Sequence, residues 1–260
     1  MTPCGKHVIS NVESSIGLYM KVVILCGGQG TRLREQTEVM PKPMVEIGGR
    51  PILWHIMKIY SHFGLHEFVL CLGYKGQVIK EYFANDLHRD GGGDWRVSLI
   101  ETGEKAQTGA RVFRVREQIG KEAFCLTYGD GLGCIDIRSL LEFHKKHGRM
   151  ATVTGVRPPS RFGELELDGD RVVTFNEKPQ VTESFINGGF FVIEPEFIER
   201  YLSDDDDLTL EREPLQRLAA DGELMMYPHT GFWQPMDTYR EWKMLEEMWD
   251  NGTAEWRMWD

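Results

Sequence analysis

The stretch KVVILCGGQGTRL, residues 21–33, decides the fold class. After Lys21 the next five residues are apolar and rich in β-branched Val and Ile. Such a short run reads as a strand buried on both faces. Gly27, Gly28 and Gly30 follow. They allow a tight turn whose backbone N–H groups face a ligand. Arg32 adds a fixed fork of donors. The loop has neither the G-K-[ST] of a P-loop nor the G-x-G-x-x-G of a dinucleotide site. By itself it fits a phosphate-binding loop and a plain strand-to-helix turn alike.

Working outward, PILWHIMKIYSHFG (51–64) reads as an apolar helix opened by Pro51 and closed by Gly64. HEFVLCLG (66–73) is a second strand, 75–84 a helix and WRVSLIE (95–101) a third strand. TGARVFRVREQIG (108–120) has the period of one helix, and EAFCLTYGD (122–130) is a fourth strand. The segment 135–148 is a helix begun at Asp136 and stopped by Gly148. Strand and helix in alternation specify a parallel sheet covered on both faces. Ligands of such sheets bind outside the carboxyl ends of the strands, where the loops after Cys26 and Tyr128 fall. The second half is richer in strands: ATVTGV (151–156), 163–179 with a hairpin at 168–170, and FINGGFFVIEP (185–195). Residues 211–222 and 238–249 read as helices. The fold class expected is α/β: a Rossmann-like, mixed, mainly parallel sheet flanked by helices, with a strand-rich second lobe. Residues 1–19 are expected to be a disordered extension, and 20–260 a single domain with halves 20–150 and 151–260.

Composition narrows the function. A net charge of −10 over 260 residues argues against a nucleic-acid partner, which needs excess Lys and Arg. Any phosphate site must then be built locally. The 5 cysteines are odd in number and show no C-x-x-C or zinc spacing, which points to a reducing, cytoplasmic compartment; Cys26, Cys71 and Cys125, at the ends of apolar runs, read as small buried apolar residues. No apolar run approaches the ~18 residues of a membrane span. The acidic run 204–207 reads as a solvated loop.

Four further segments carry chemistry. Lys42, between Pro41 and Pro43, is expected on a stiff, extended backbone, as a pre-positioned charge or a surface turn. Asp130 ends a strand between two glycines in Tyr128-Gly129-Asp130-Gly131. Asp237, in Pro235-Met236-Asp237-Thr238, suits either a metal ligand or the N-cap of the last helix. Magnesium typically takes only one or two carboxylates plus substrate phosphates, so two distant aspartates suffice. Asn176-Glu177-Lys178-Pro179 and Asn187-Gly188-Gly189 could hold a sugar and its phosphate, or form a hairpin end with an ion pair.

In this order, GGQGTRL, PKPMVEIGGRPILWHIMK, GYKGQVIKEYF, TYGDG, FNEKP, INGGFFV and GFWQPMDTYRE resemble the sugar-1-phosphate nucleotidylyltransferase family over essentially all of 20–260. The likeness is closest to its glucose-1-phosphate cytidylyltransferase branch. It implies that Leu25, Gly27, Gly28, Gly30, Thr31, Arg32, Lys42, Thr108, Gly109, Arg111 and Asp130 bind nucleotide. It implies that Tyr128, Glu177, Lys178, Asn187 and Gly188 bind the sugar phosphate, and that Asp130 and Asp237 hold Mg²⁺. Arg32, Lys42, Asp130 and Lys178 then have catalytic roles. The implied reaction joins CTP and a sugar 1-phosphate, with α-D-glucose 1-phosphate expected, to give a CDP-sugar and pyrophosphate. UTP or dTTP, or another sugar phosphate, would suit the same motifs, as would a non-catalytic binder. A homo-oligomer is also implied. The chain departs from the pattern after EYF, where only ANDLHRDGGGD replaces a longer insertion that helps build the oligomer in glucose-type members.

Overall fold

Val22, Val23, Ile24 and Leu25 point alternately into two apolar layers, which places their strand, Lys21–Leu25 (β1), inside the molecule. The structure, a computed structural model, describes residues 20–28, 40–85, 94–157, 164–168, 171–176 and 184–259. After β1 come the short strands Glu46–Ile47 (β2) and Arg50–Pro51 (β3), helix Ile52–His62 (α1), strand Glu67–Leu72 (β4), helix Gly76–Asn85 (α2) and strand Arg96–Glu101 (β5). Helices Thr108–Arg114 (α3) and Arg116–Ile119 (α4) precede strands Phe124–Tyr128 (β6) and Gly131–Gly133 (β7), then helix Ile137–His147 (α5). The second half holds strands Ala151–Val156 (β8), Glu164–Asp168 (β9), Arg171–Asn176 (β10), Ile186–Asn187 (β11) and Phe191–Ile193 (β12). Helices Glu196–Tyr201 (α6) and Glu213–Ala220 (α7), strands Leu224–His229 (β13) and Trp233–Pro235 (β14), and helix Tyr239–Asp250 (α8) complete it.

Strands β4 and β6 flank β1 in parallel, and β5 adds beyond β4. The chain moves outward from β1 through β4 to β5, then crosses back to β6. The order therefore reverses between β1 and β6, the place where open α/β sheets bind ligands. Strand β12 runs antiparallel between β6 and β8, and β13 is parallel to β8. The second half thus extends the first half's sheet to eight strands. Among the described residues, only the β9–β10 hairpin stands as a separate strand pair within the expected lobe. Val22 and Ile24 join a core beneath α1, α5 and α8; Val23 and Leu25 join one beneath α3, α4, α6 and α7.

One expected helix needs correction. Residues 108–120 are two helices, because buried Val115 adopts φ −100°, ψ 11° between them. This turn lets Val112, Val115 and Ile119 all enter one core. FINGGFFVIEP is two strands broken at Gly189 and Phe190, with φ of 74° and 47°. The acidic run is exposed but anchored: Asp204 and Asp206 pair with Arg114 at 2.6 and 2.8 Å. Cys26, Cys71, Cys125 and Cys134 are free and buried, as their apolar surroundings suggest. No helix among the described residues is long and apolar enough to cross a membrane.

Helix α1 is buried on nearly all sides because the C-terminal tail covers what the sheet does not. Its His55 lies among Trp54, Trp249 and Trp256. Trp256 Nε1–H donates to Nδ1 at 3.3 Å, so the ring is neutral and Nε2–H donates to the Ile47 carbonyl at 2.8 Å. Burial lowers the pKa of His55 to about 4, and burial does the same to His144. The unfolded chain therefore binds these protons first as pH falls. Stability is fully present above pH ~6.5 and is lost toward pH 4 at about 1.4 kcal/mol per unit for each ring. Urea midpoints should fall between pH 7 and 5, and His55→Gln should lessen that slope, the remainder coming from His144, His147 and His229, whose pKa values burial also lowers. A midpoint flat over this range would contradict the assignment.

Candidate active site

The carboxyl ends of β1 and β6 and the loop before α3 enclose a cleft of about 670 Å³. Small-molecule sites commonly measure ~300–1,000 Å³. Gly27 and Gly28 follow β1, and Tyr128 to Asp130 end β6. Gly129 is a glycine by necessity: its N–H donates to the Leu25 carbonyl at 3.1 Å, and a Cβ there would lie 2.9 Å from that oxygen. The Asp130 turn is thereby locked against the glycine-rich loop.

Lys42 does not sit on extended backbone. It opens one 3₁₀ turn, Lys42–Met44, in which the Met44 N–H bonds the Pro41 carbonyl and the Val45 N–H bonds the Lys42 carbonyl. The prolines fix φ without preventing this turn, because the carbonyls of Pro41 and Lys42 both find donors. The turn aims Lys42 Nζ at Asp130 Oδ2, 2.6 Å away, and at Asp237 Oδ1, 2.7 Å away. Burial alone would lower the Lys42 pKa, but the two carboxylates outweigh it and raise it. Two aspartates far apart in sequence thus have oxygens on one cationic atom.

Their convergence is built by a two-stranded ribbon. β7 and β14 pair antiparallel, with Gly131 opposite Pro235 and Gly133 opposite Trp233. The Met236 N–H then bonds the Asp130 carbonyl at 2.8 Å, and Asp237 is the next residue. Asp237 is not the helix cap. Thr238 caps α8 in a reciprocal box with Glu241. The Glu241 carboxylate accepts the N–H groups of Asp237 and Thr238 at 2.8 and 2.9 Å, which sets the Asp237 backbone. The T-x-x-E spacing was a readable signal for this role.

The structure distributes the other expected residues as follows. Leu25, Thr108 and Arg111 line the cleft with Lys42 and Asp130. Arg111 is buried, and its guanidinium donates to the Leu72 carbonyl at 2.9 Å, to Thr102 Oγ1 at 2.8 Å and to the Gly27 carbonyl at 3.1 Å. It therefore braces the ends of β1, β4 and β5 together. A Cβ at Gly27 or Gly73 would overlap its guanidinium. Gly109 packs on the Leu208 backbone and is not part of the cleft wall. Tyr128 lies in the wall, and Asn187 Nδ2 donates to its hydroxyl at 3.1 Å. Gly188 fits tightly against Val156 and accepts from Trp233 Nε1 at 2.8 Å. Gly30, Thr31, Arg32, Glu177 and Lys178 lie outside the described residues. Glu211 had no signal in the sequence, and Trp233 stood unassigned within GFWQPMDTYRE, yet both contact expected site residues.

A glycine-braced cleft thus lies at the switch point of the α/β sheet, where such sheets bind ligands, with a lysine and two carboxylates at one end. The nucleotidyl transferase family model matches residues 21–242, and the chain belongs to that family. It is 50% identical over 259 residues to a glucose-1-phosphate cytidylyltransferase of Salmonella typhi, covering 93% of this chain and 100% of that protein. It is 45% identical over 256 residues to a probable glucose-1-phosphate cytidylyltransferase of Bacillus subtilis, covering 92% and 100%. Among solved structures, HddC from Yersinia pseudotuberculosis superposes with a TM-score of 0.69 at 26% identity, over 89% of this chain and 100% of that one. Members of this family generally use a divalent metal ion. The donor set fits one: Asp130 and Asp237 supply hard oxygens, already close enough to share a single ammonium.

Proposed function

We propose that the protein transfers the cytidylyl group of CTP to α-D-glucose 1-phosphate, giving CDP-glucose and pyrophosphate. The observation that carries this reading is the meeting of Asp130 and Asp237 on Lys42 beside the glycine-lined cleft. Half-identity to cytidylyltransferases over their whole length supports the choice of base and sugar.

A phosphate oxygen of the sugar phosphate attacks the α-phosphorus of CTP, and the bond from that phosphorus to the bridging oxygen of pyrophosphate breaks. The nucleophile is already ionised near neutral pH, so no general base is needed. The barrier is largely the approach of two anions, and catalysis is alignment with charge neutralisation. Asp130 and Asp237 would hold Mg²⁺, which would supply positive charge against the phosphates. Lys42, kept protonated by its carboxylate partners, contributes a second cation to the polyphosphate. The backbone N–H groups after β1, held in place by Arg111, face the phosphates. The family resemblance assigns Arg32, with Lys42, to the departing pyrophosphate, and Lys178 and Glu177 to the sugar phosphate. The cytoplasm is the proposed compartment and a homo-oligomer the proposed assembly.

The test is a matrix of CTP, UTP, dTTP, ATP and GTP against several sugar 1-phosphates, scored by magnesium-dependent pyrophosphate release. The CTP and glucose 1-phosphate pair should give the highest kcat/KM. A different nucleotide in first place would overturn the base assignment, and no release from any pair would overturn the reaction.

A further inference from the structure

We infer that Glu211 is a positioning residue that makes Tyr128 a hydrogen-bond acceptor for a hydroxyl of the sugar, and so sets which sugar the site takes. The inference rests on the proposed sugar-phosphate side of the cleft. Glu211 precedes α7 and stands behind the cleft wall. Its Oε1 is 2.7 Å from the Tyr128 hydroxyl and its Oε2 is 2.6 Å from Thr108 Oγ1.

An ionised carboxylate has only lone pairs, so both hydroxyls must donate to it. Tyr128 has a single proton, and Glu211 takes it. Asn187 Nδ2 donates to the same hydroxyl oxygen at 3.1 Å, while its Oδ1 accepts the Gly189 N–H at 2.9 Å, so the amide cannot reverse its role cheaply. What Tyr128 offers to the cleft is therefore acceptance alone. Thr108 is fixed in the same way, since its oxygen accepts the Leu210 N–H at 2.9 Å.

An acceptor backed by a negative charge disfavours a phosphate and favours an O–H donor. The phosphate of the sugar substrate must then lie away from Tyr128, toward the lysines, and the sugar ring must turn a hydroxyl to Tyr128. A site that hydrogen-bonds a substrate hydroxyl rejects analogues lacking it far better than an apolar pocket discriminates size.

The experiment compares wild type, Glu211→Gln and Tyr128→Phe on glucose 1-phosphate and a series of its monodeoxy analogues, with CTP held saturating and then varied. Glu211→Gln should raise the KM for glucose 1-phosphate by about tenfold or more, the cost of one hydrogen-bonding defect, and leave the KM for CTP within about twofold. One deoxy analogue, lacking the hydroxyl that Tyr128 accepts, should be handled equally by wild type and Glu211→Gln. Should Glu211→Gln not fold, Tyr128→Phe carries the same cycle. Equal rises in both KM values, or a constant ratio between the proteins across every analogue, would overturn the inference while leaving the proposed reaction standing. Wild-type protein inactive on all sugar phosphates would overturn the reaction itself.

Discussion

Asp237→Ala should lower turnover by about 10²–10³-fold, the usual cost of removing one preorganised electrostatic group, with the fold near intact. The second half of that expectation comes from the structure. Had Asp237 been the N-cap of α8, its loss would cost ~1 kcal/mol of helix stability and confuse the result. Thr238 and Glu241 do the capping instead, and the Asp237 carboxylate points to Lys42. A variant with wild-type turnover at saturating magnesium would remove Asp237 from the site. A variant that is simply unfolded, by circular dichroism, would show that the ribbon depends on its side chain.

Lys42→Met should injure both activity and stability, and the stability loss should be repairable. In the metal-free protein Lys42 is the cation between two carboxylates whose side chains are 33% and 22% exposed, while its own is 12% exposed. Removing it leaves two negative charges facing each other. The cost lies between the ~1 kcal/mol of an exposed pair and the ~3–5 kcal/mol of a broken buried one. The melting temperature without metal should drop by several degrees, and Mg²⁺ should raise it more in Lys42→Met than in wild type. Turnover should stay low even then, because the metal replaces the lysine between the aspartates but not on the pyrophosphate. Equal magnesium shifts in the two proteins would contradict the role given to Lys42.

Local signals made most of the first half readable. The β-branched run of β1, the Asp136 cap and Gly148 stop of α5, and the glycine-flanked Asp130 each announce themselves within a few residues. What stayed hidden depends on distant pairing. Strands β7 and β14 have three residues each and stand a hundred positions apart, too short for any periodic signal, yet they join Asp130 to Asp237. The 3₁₀ turn at Lys42 overrode the extended bias of a residue before proline because its carbonyl and that of Pro41 both found donors. Glu211 was invisible because a lone carboxylate before a helix reads as a surface group. Its meaning appears only when Thr108 and Tyr128 fold onto it. Arg111 was assigned to the nucleotide site by resemblance alone, and its use as a brace on the Gly27 and Leu72 carbonyls required the crossing of β1, β4 and β5.

The most direct measurement is a titration of Mn²⁺, as a spectroscopic substitute for Mg²⁺, into the protein with CTP present, for wild type and Asp237→Ala. The account predicts one tightly held ion per wild-type chain and an affinity reduced about tenfold or more in Asp237→Ala, as for loss of a charged ligand. Unchanged affinity and stoichiometry in Asp237→Ala would contradict the claim that these two carboxylates share a metal beside the nucleotide.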